Sequence, residues 1–238
     1  MRTPYNLSAS HDCTICPERE NRRFCDMPKD TVTRMNEITF TSFYPKGSLL
    51  FVEGEKARGV FILCSGRVKL TTSSAEGRTL ILRNAQAGEL LGSSAVISGK
   101  PYETSIETVE PCQVNFIRAD HFMTLIENDR VAMLAVARQL SEDYHAAQRE
   151  VRTFGLAQTT GEKLARLVLD WCTTGEKTDQ GVRLKVLMTH EEIAQMIGTT
   201  RETVTRLLSQ LRRKKILEIK GSTFLVPHVE MLESMVSV

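Results

Sequence analysis

From about Phe40 to Phe116 the chain runs in short apolar stretches, SLLFV, GVFILC, RVKLTT, TLILRN and CQVNFI, punctuated by glycines at 47, 54, 59, 66, 77, 88, 92 and 99. Short strands set off by regular glycine turns predict an all-β barrel or sandwich. Between Asp120 and about Phe154 glycine and proline disappear, and apolar or small residues fall at Met133, Ala137, Leu140, Tyr144, Ala147, Val151 and Phe154 in steps that alternate four and three. That spacing is the heptad signature of a helix that pairs along its length. One helix cannot bury such a seam alone, so a symmetric parallel homodimer is the economical reading; an amphipathic helix lying on its own barrel is the alternative. Gly155 then stands as a hinge, followed by a helix over about 158 to 173, a polar loop through Gly175 and Gly181, and a compact C-terminal module.

In that module MTHEEIAQMIGTTRETVTRLLSQLRRKKILEIKG carries two helix-start signatures, Thr189 with Glu192 and Thr199 with Glu202, separated by Gly198. Each matches a capping box. A short helix bearing Ile193, Ala194 and Ile197, a glycine turn, and a second helix bearing Val204, Leu207, Leu208 and Leu211 predict a helix-turn-helix. On the second helix Arg201 and Thr205 are four residues apart, as are Glu202 and Arg206, so all four share one exposed face near the N-terminal end. Arg donates two hydrogen bonds to guanine, Glu accepts from cytosine and Thr reaches a base or a phosphate, which is the chemistry of direct base readout. Ordinary intrahelical pairing of Glu202 with Arg206 is the bland alternative. Thr189, Thr200, Arg212 and Lys214 complete the candidate DNA-binding set, Arg212 and Lys214 lying in a basic run suited to phosphate. ILEIKGSTFLVP alternates around Gly221 like a small β-hairpin, the place of a wing.

Charge sharpens this picture. The chain carries a formal net charge of only +2, whereas Thr189 to Lys220 hold seven Lys or Arg against four Glu, a local +3. No apolar stretch approaches the roughly 20 residues that span a bilayer, and the polar start MRTPYNLSASHD lacks the apolar core of a secretory signal, so a cytoplasmic protein is expected. Six cysteines in a reducing compartment point to buried thiols, metal ligation or redox sensing rather than structural disulfides. Cys13, Cys16 and Cys25 crowd into an irregular charged segment that needs something external to order it. Cys64 and Cys172, with apolar neighbours, read as buried free thiols. Scattered histidines and the lack of a phosphate loop or nucleophile elbow argue against an enzyme.

Over nearly its whole length the chain resembles the CRP/FNR superfamily of bacterial transcription regulators. FVEGEKARGVFILCSGRVKL and AGELLG resemble the cyclic-nucleotide-binding β-roll, the heptad helix resembles the family's dimer helix, and TTRETVTRLLSQLRRKKIL resembles its recognition helix. The resemblance implies an α+β protein: a cysteine-bearing segment over 1–29, a β-roll sensor over 30–125, a dimerisation helix over 126–155 and a winged helix-turn-helix over 156–238. It implies that a homodimer reads palindromic double-stranded DNA with a GTGA-like half-site through Arg201, Glu202 and Arg206, and contacts RNA polymerase. Thr205 stands where FNR-type proteins carry a serine.

Members that bind cyclic AMP fix its phosphate with an Arg followed by Ser or Thr. Here Tyr102, Glu103 and Thr104 occupy that place and a carboxylate there repels phosphate, so a cyclic nucleotide is not expected although Glu89 matches the family's ribose-contacting acid. By resemblance to oxygen-sensing FNR proteins, Cys112 would join Cys13, Cys16 and Cys25 around a [4Fe-4S] cluster, for which thiolate sulfur is the soft ligand required. The gap between Cys16 and Cys25 is longer than in the best-known FNR. A cysteine-bound zinc, a thiol redox switch or inert thiols stay open. An intact cluster would pin the N-terminal segment to the barrel and favour the dimer, with Glu142 and Asp143 facing like charges across the seam.

Overall fold

The computed structural model describes residues 12–22, 24–155, 157 and 159–236. The chain divides into two compact units, 1–145 and 146–238. In the first unit the apolar runs form eight strands: β1 (Thr39–Tyr44), β2 (Leu49–Phe51), β3 (Gly59–Ser65), β4 (Arg67–Ser73), β5 (Thr79–Gln86), β6 (Leu90–Leu91), β7 (Ser105–Thr108) and β8 (Cys112–Arg118). They pair antiparallel into two sheets, ordered β1-β8-β3-β6 and β2-β7-β4-β5. This is the expected β-roll. Helices α1 (Lys29–Glu37), α2 (Ser93–Ser98), α3 (Ala119–Asn128) and α4 (Arg130–Gly155) accompany them.

Side chains on a strand alternate between its two faces, and the first sheet buries both. Phe61 and Leu63 of β3 and Cys112 and Val114 of β8 enter the core inside the roll, with Phe51, Val68, Ala85 and Ile106 of the second sheet. Val60 and Ile62 of β3 and Ile117 of β8 enter a second core on the opposite face. There they meet Val32 and Met35 of α1, Phe122 and Ile126 of α3, Ala132 and Val136 of α4, and Phe24 and Met27 of the N-terminal segment. At the β3–β4 corner Gly66 takes φ +87°, and a Cβ there would lie 2.6 Å from Cys112 Sγ, so only glycine fits the turn.

The helix expected over 126–155 begins later, as α4 at Arg130, because α3 runs on to Asn128 and the chain breaks at Asp129. The Asp129 carboxylate accepts from the amides of Val131 and Ala132 at 2.9 and 3.1 Å, capping α4, and a cap requires non-helical backbone. It also accepts from Arg34 of α1 at 2.6 Å. On α4, Ala132, Val136 and Gln139 are buried, whereas Met133, Leu134, Ala137, Tyr144, Ala147 and Val151 are exposed. Asp143 lies off the exposed seam: it is bound to Arg83 of β5 at 3.0 Å and to Gln139 at 3.1 Å, which corrects its expected position facing a like charge.

The second unit holds α5 (Thr160–Thr174), β9 (Glu176–Thr178), β10 (Gly181–Lys185), α6 (His190–Ile197), α7 (Arg201–Arg213), β11 (Glu218–Lys220), β12 (Thr223–Val226) and α8 (Val229–Glu233). The stretch expected as a polar loop through Gly175 and Gly181 is instead the β9–β10 hairpin, because Leu184 turns into the core while Arg183 and Lys185 stay exposed. It extends the β11–β12 wing into one sheet, ordered β11-β12-β10-β9.

Burial works against the Asp129 carboxylate, but Arg34 and the two capping amides outweigh it, and its pKa lies below the ordinary aspartate value. Because the folded-state pKa is depressed, the stabilisation is complete above about pH 4 and is lost as pH falls below that. Asp129→Ala should destabilise the protein by about 2 kcal/mol at neutral pH through the lost cap and its charged hydrogen bonds. Urea unfolding at pH 7 and pH 3 checks this: the gap between variant and wild type should be narrower at the lower pH.

Candidate functional site

Gly198, at φ 66°, ends α6 in the left-handed conformation and turns the chain into α7. Ile193, Ala194 and Ile197 of α6 pack with Val204, Leu208 and Leu211 of α7, so the apolar faces meet and the other face of α7 is free. Thr189 and Glu192 form the expected capping box. The second expected box shifts by one residue: Thr200, and not Thr199, caps α7 and accepts from the amide of Thr203. Glu202 therefore lies in the first turn and is left for other contacts. Arg201, Glu202, Thr205 and Arg206 are all exposed. Arg212 and Lys214 are exposed at the far end, where cations suit the helix dipole.

The Thr205 hydroxyl donates to the Arg201 carbonyl at 2.9 Å and lies 2.9 Å from Nδ1 of His190. His190 thereby joins the reading face. Sequence reasoning missed it because it belongs to the other helix, fifteen residues away along the chain.

Inside the roll, Tyr102 is buried and stacks on Phe51 with ring centroids 3.8 Å apart. Its hydroxyl donates to the Gly59 carbonyl at 2.6 Å. Glu103 is exposed beside it and accepts from Ser94 at 3.2 Å. Glu89 accepts from the Gln86 amide at 2.7 Å and pairs with Arg83 at 2.5 Å, closing the β5–β6 turn.

Cys13, Cys16 and Cys25 line one pocket of about 50 Å³, and the fourth thiol in its wall is Cys64 of β3. Cys112 is elsewhere. Gln113 and Asn115 of β8 line the pocket, so alternation turns Cys112 through the sheet into the roll interior. Its thiol there donates to the carbonyls of Glu110 at 3.2 Å and Arg67 at 3.4 Å. The structure thus sets Cys112, expected as the fourth ligand, apart from the other three thiols, and brings Cys64, read from sequence as a buried free thiol, to the pocket they line.

Burial pushes the Cys13 thiol up to about 11 and Cys25 to about 12, with neighbouring thiols adding to both. Cys64 is raised further by the same causes. Among the described residues no three His, Cys, Asp or Glu side chains converge on one point as bound-metal ligands do. Cys172 lies in the core of the second unit.

Of the expected seam, Met133, Ala137, Tyr144, Ala147 and Val151 are exposed, with Tyr144 at 61% and Val151 at 72%, whereas Leu140 is half-buried against its own unit. The Phe154 side chain lies outside the described residues. No helix among the described residues is long and apolar enough to cross a membrane.

A β-roll followed along the chain by a winged helix-turn-helix with a cationic reading face defines a DNA-binding transcription regulator. The cyclic nucleotide-binding domain family matches residues 41–129 and the Crp-like helix-turn-helix domain family residues 162–235. The cAMP-activated global transcriptional regulator CRP of Pasteurella multocida is 27% identical over 184 residues, 77% of this chain and 88% of that protein. The cAMP-activated regulator Vfr of Pseudomonas aeruginosa is 24% identical over 187 residues, 77% of this chain and 87% of its own. Among solved structures, the c-di-GMP-responsive regulator CLP of Xanthomonas campestris shares the fold at a TM-score of 0.74 and 21% identity, covering 84% of this chain and all 100% of that one. A CooA variant from Carboxydothermus hydrogenoformans does so at 0.72 and 23%, covering 84% and 89%. The chain belongs to the CRP/FNR family of DNA-binding transcription regulators.

Arg206→Ala should remove sequence-specific DNA binding and leave weak, salt-sensitive binding, losing about 1 to 3 kcal/mol of discrimination. Competition between a GTGA-type palindrome and random duplex, measured by fluorescence anisotropy at fixed salt, checks it.

Proposed function

We propose that this regulator binds palindromic double-stranded DNA as a homodimer in the cytoplasm, contacts RNA polymerase there, and answers to oxygen or redox state through a [4Fe-4S] cluster held by its N-terminal cysteines. The observation that carries the sensing is the pocket itself: Cys13, Cys16 and Cys25 face one cavity, in a segment whose Phe24 and Met27 enter the core that seats α4. Soft thiolate donors fit such a group. When bound, the cluster supplies a chemistry that oxygen degrades.

The chain supplies the transmission. Phe24 and Met27 pack in one core with Ala132 and Val136, and Arg34 holds the Asp129 cap, so order in the cysteine segment bears directly on the first turns of α4. The exposed face of that helix, Met133, Ala137, Tyr144 and Val151, is the surface a second copy would cover. Reading of DNA falls to Arg201, Glu202, Thr205 and Arg206, with Thr189, Thr200, Arg212 and Lys214 at the backbone.

The CRP of Pasteurella multocida and the Vfr of Pseudomonas aeruginosa are cAMP-activated, but Tyr102 packed on Phe51 and the Glu103 carboxylate support no cyclic-nucleotide role in this chain. A regulator of the same family without a cluster, responding to another small ligand or to oxidation of the same thiols, or constitutively active, is the reading to which a metal-free protein would point.

Anaerobically purified protein should be brown and contain iron and acid-labile sulfide in equal amounts; colourless, iron-free protein after reconstitution would overturn the cluster. Met133→Glu, on an exposed site, should change monomer stability by less than about 0.5 kcal/mol. Sedimentation velocity should show that it shifts dimer to monomer.

A further inference from the structure

We infer that Cys13, Cys16, Cys25 and Cys64 form a four-thiolate site for a thiophilic metal group, with Asn115 as the residue that positions Cys13, and that Cys112 has no part in it. The inference deepens the sensing proposal but does not require the metal to be iron.

Three observations converge. The β3–β8 register runs Leu63 opposite Val114 and then Ser65 opposite Gln113, so Cys64 is the extra residue of a β-bulge. A bulge frees one residue's backbone from the ladder, and Cys64 keeps the outer face that Val60 and Ile62 of the same strand occupy. Here the bulged residue is the thiol that faces the N-terminal cysteines.

Second, the pocket supplies donors directed at sulfur. Asn115 is 1% exposed, and its Nδ2 donates to Cys13 Sγ at 3.2 Å. Thr41 Oγ1 donates to Asn115 Oδ1 at 2.8 Å, which fixes the amide so that its NH₂ end meets the sulfur. The Arg22 guanidinium lies 3.9 Å from Cys16 Sγ. A thiol accepts such bonds weakly, whereas a metal-bound thiolate accepts them well, and outer donors of this kind hold ligands in place.

Third, strand alternation leaves Cys112 no route to the pocket, because its neighbours Gln113 and Asn115 occupy the face it would need. With Cys64 the set reaches four thiols, the number that closes a tetrahedral zinc site or the corners of a [4Fe-4S] cluster when no histidine contributes.

Co²⁺ alone is the probe, titrated into the reduced full-length protein under argon. Its sulfur-to-cobalt charge-transfer band scales with the number of thiolates bound. Wild-type protein should show four-thiolate intensity, Cys64→Ser and Cys64→Ala should lose about a quarter of it and bind at least about tenfold more weakly, and Cys112→Ser should match wild type. Asn115→Ala should move the band to lower energy at unchanged stoichiometry, which a purely structural role would not do. Circular dichroism confirms that each variant is folded.

Loss of the band in Cys112→Ser with retention in Cys64→Ser, or no thiolate band in the wild type, overturns the assignment. An iron assay after anaerobic reconstitution separates the two proposals. Four-thiolate cobalt binding without iron retains this site and ends the cluster, while iron that survives in Cys64→Ser and is lost in Cys112→Ser does the reverse.

Discussion

The strand pair β3–β8 is buried on both faces, and the rest of the first unit depends on that constraint. One face closes the roll with Phe61, Leu63, Cys112 and Val114; the other, through Val60, Ile62 and Ile117, packs against α1, α3 and the start of α4. A residue on such a strand belongs to one core or the other and cannot serve both. The division decides which thiols can meet.

The outer core is also where three separate stretches of chain become one body. The cysteine segment contributes Phe24 and Met27, α1 contributes Val32 and Met35, and α4 contributes Ala132 and Val136. Arg34 and Asp129 tie α1 to the first turn of α4, and Asp129 is both the ion partner and the helix cap. Farther along, Arg83 reaches from β5 to Asp143, fixing the middle of α4 to the roll. The cysteine segment, α1 and the start of α4 thus share one close-packed core.

The second unit follows a different logic. Its core is built from α5, α6, α7 and the wing sheet, and it leaves one side of α7 to solvent. What distinguishes that side is chemistry rather than burial: two arginines, a glutamate and a threonine, each able to bond to base edges, with His190 of the neighbouring helix against the threonine.

Much of this was legible along the chain, because it rests on local spacing. The glycine-punctuated strands, the capping box at Thr189, the packing faces of α6 and α7 and the exposure of Arg201 and Arg206 follow from periods of two and 3.6 residues. The break at Asp129, the β9–β10 hairpin and the one-residue shift to Thr200 were not legible, since each turns on which of several capable residues satisfies a helix end or a sheet edge. The thiol pocket is the clearest case. Sequence by itself determined that three cysteines lie close together near the N-terminus; only the folded sheet decided that Cys64 is turned towards them and Cys112 away, because which face of the β3–β8 pair the N-terminal segment covers depends on tertiary packing and strand register, and neither is written in the spacing between cysteines.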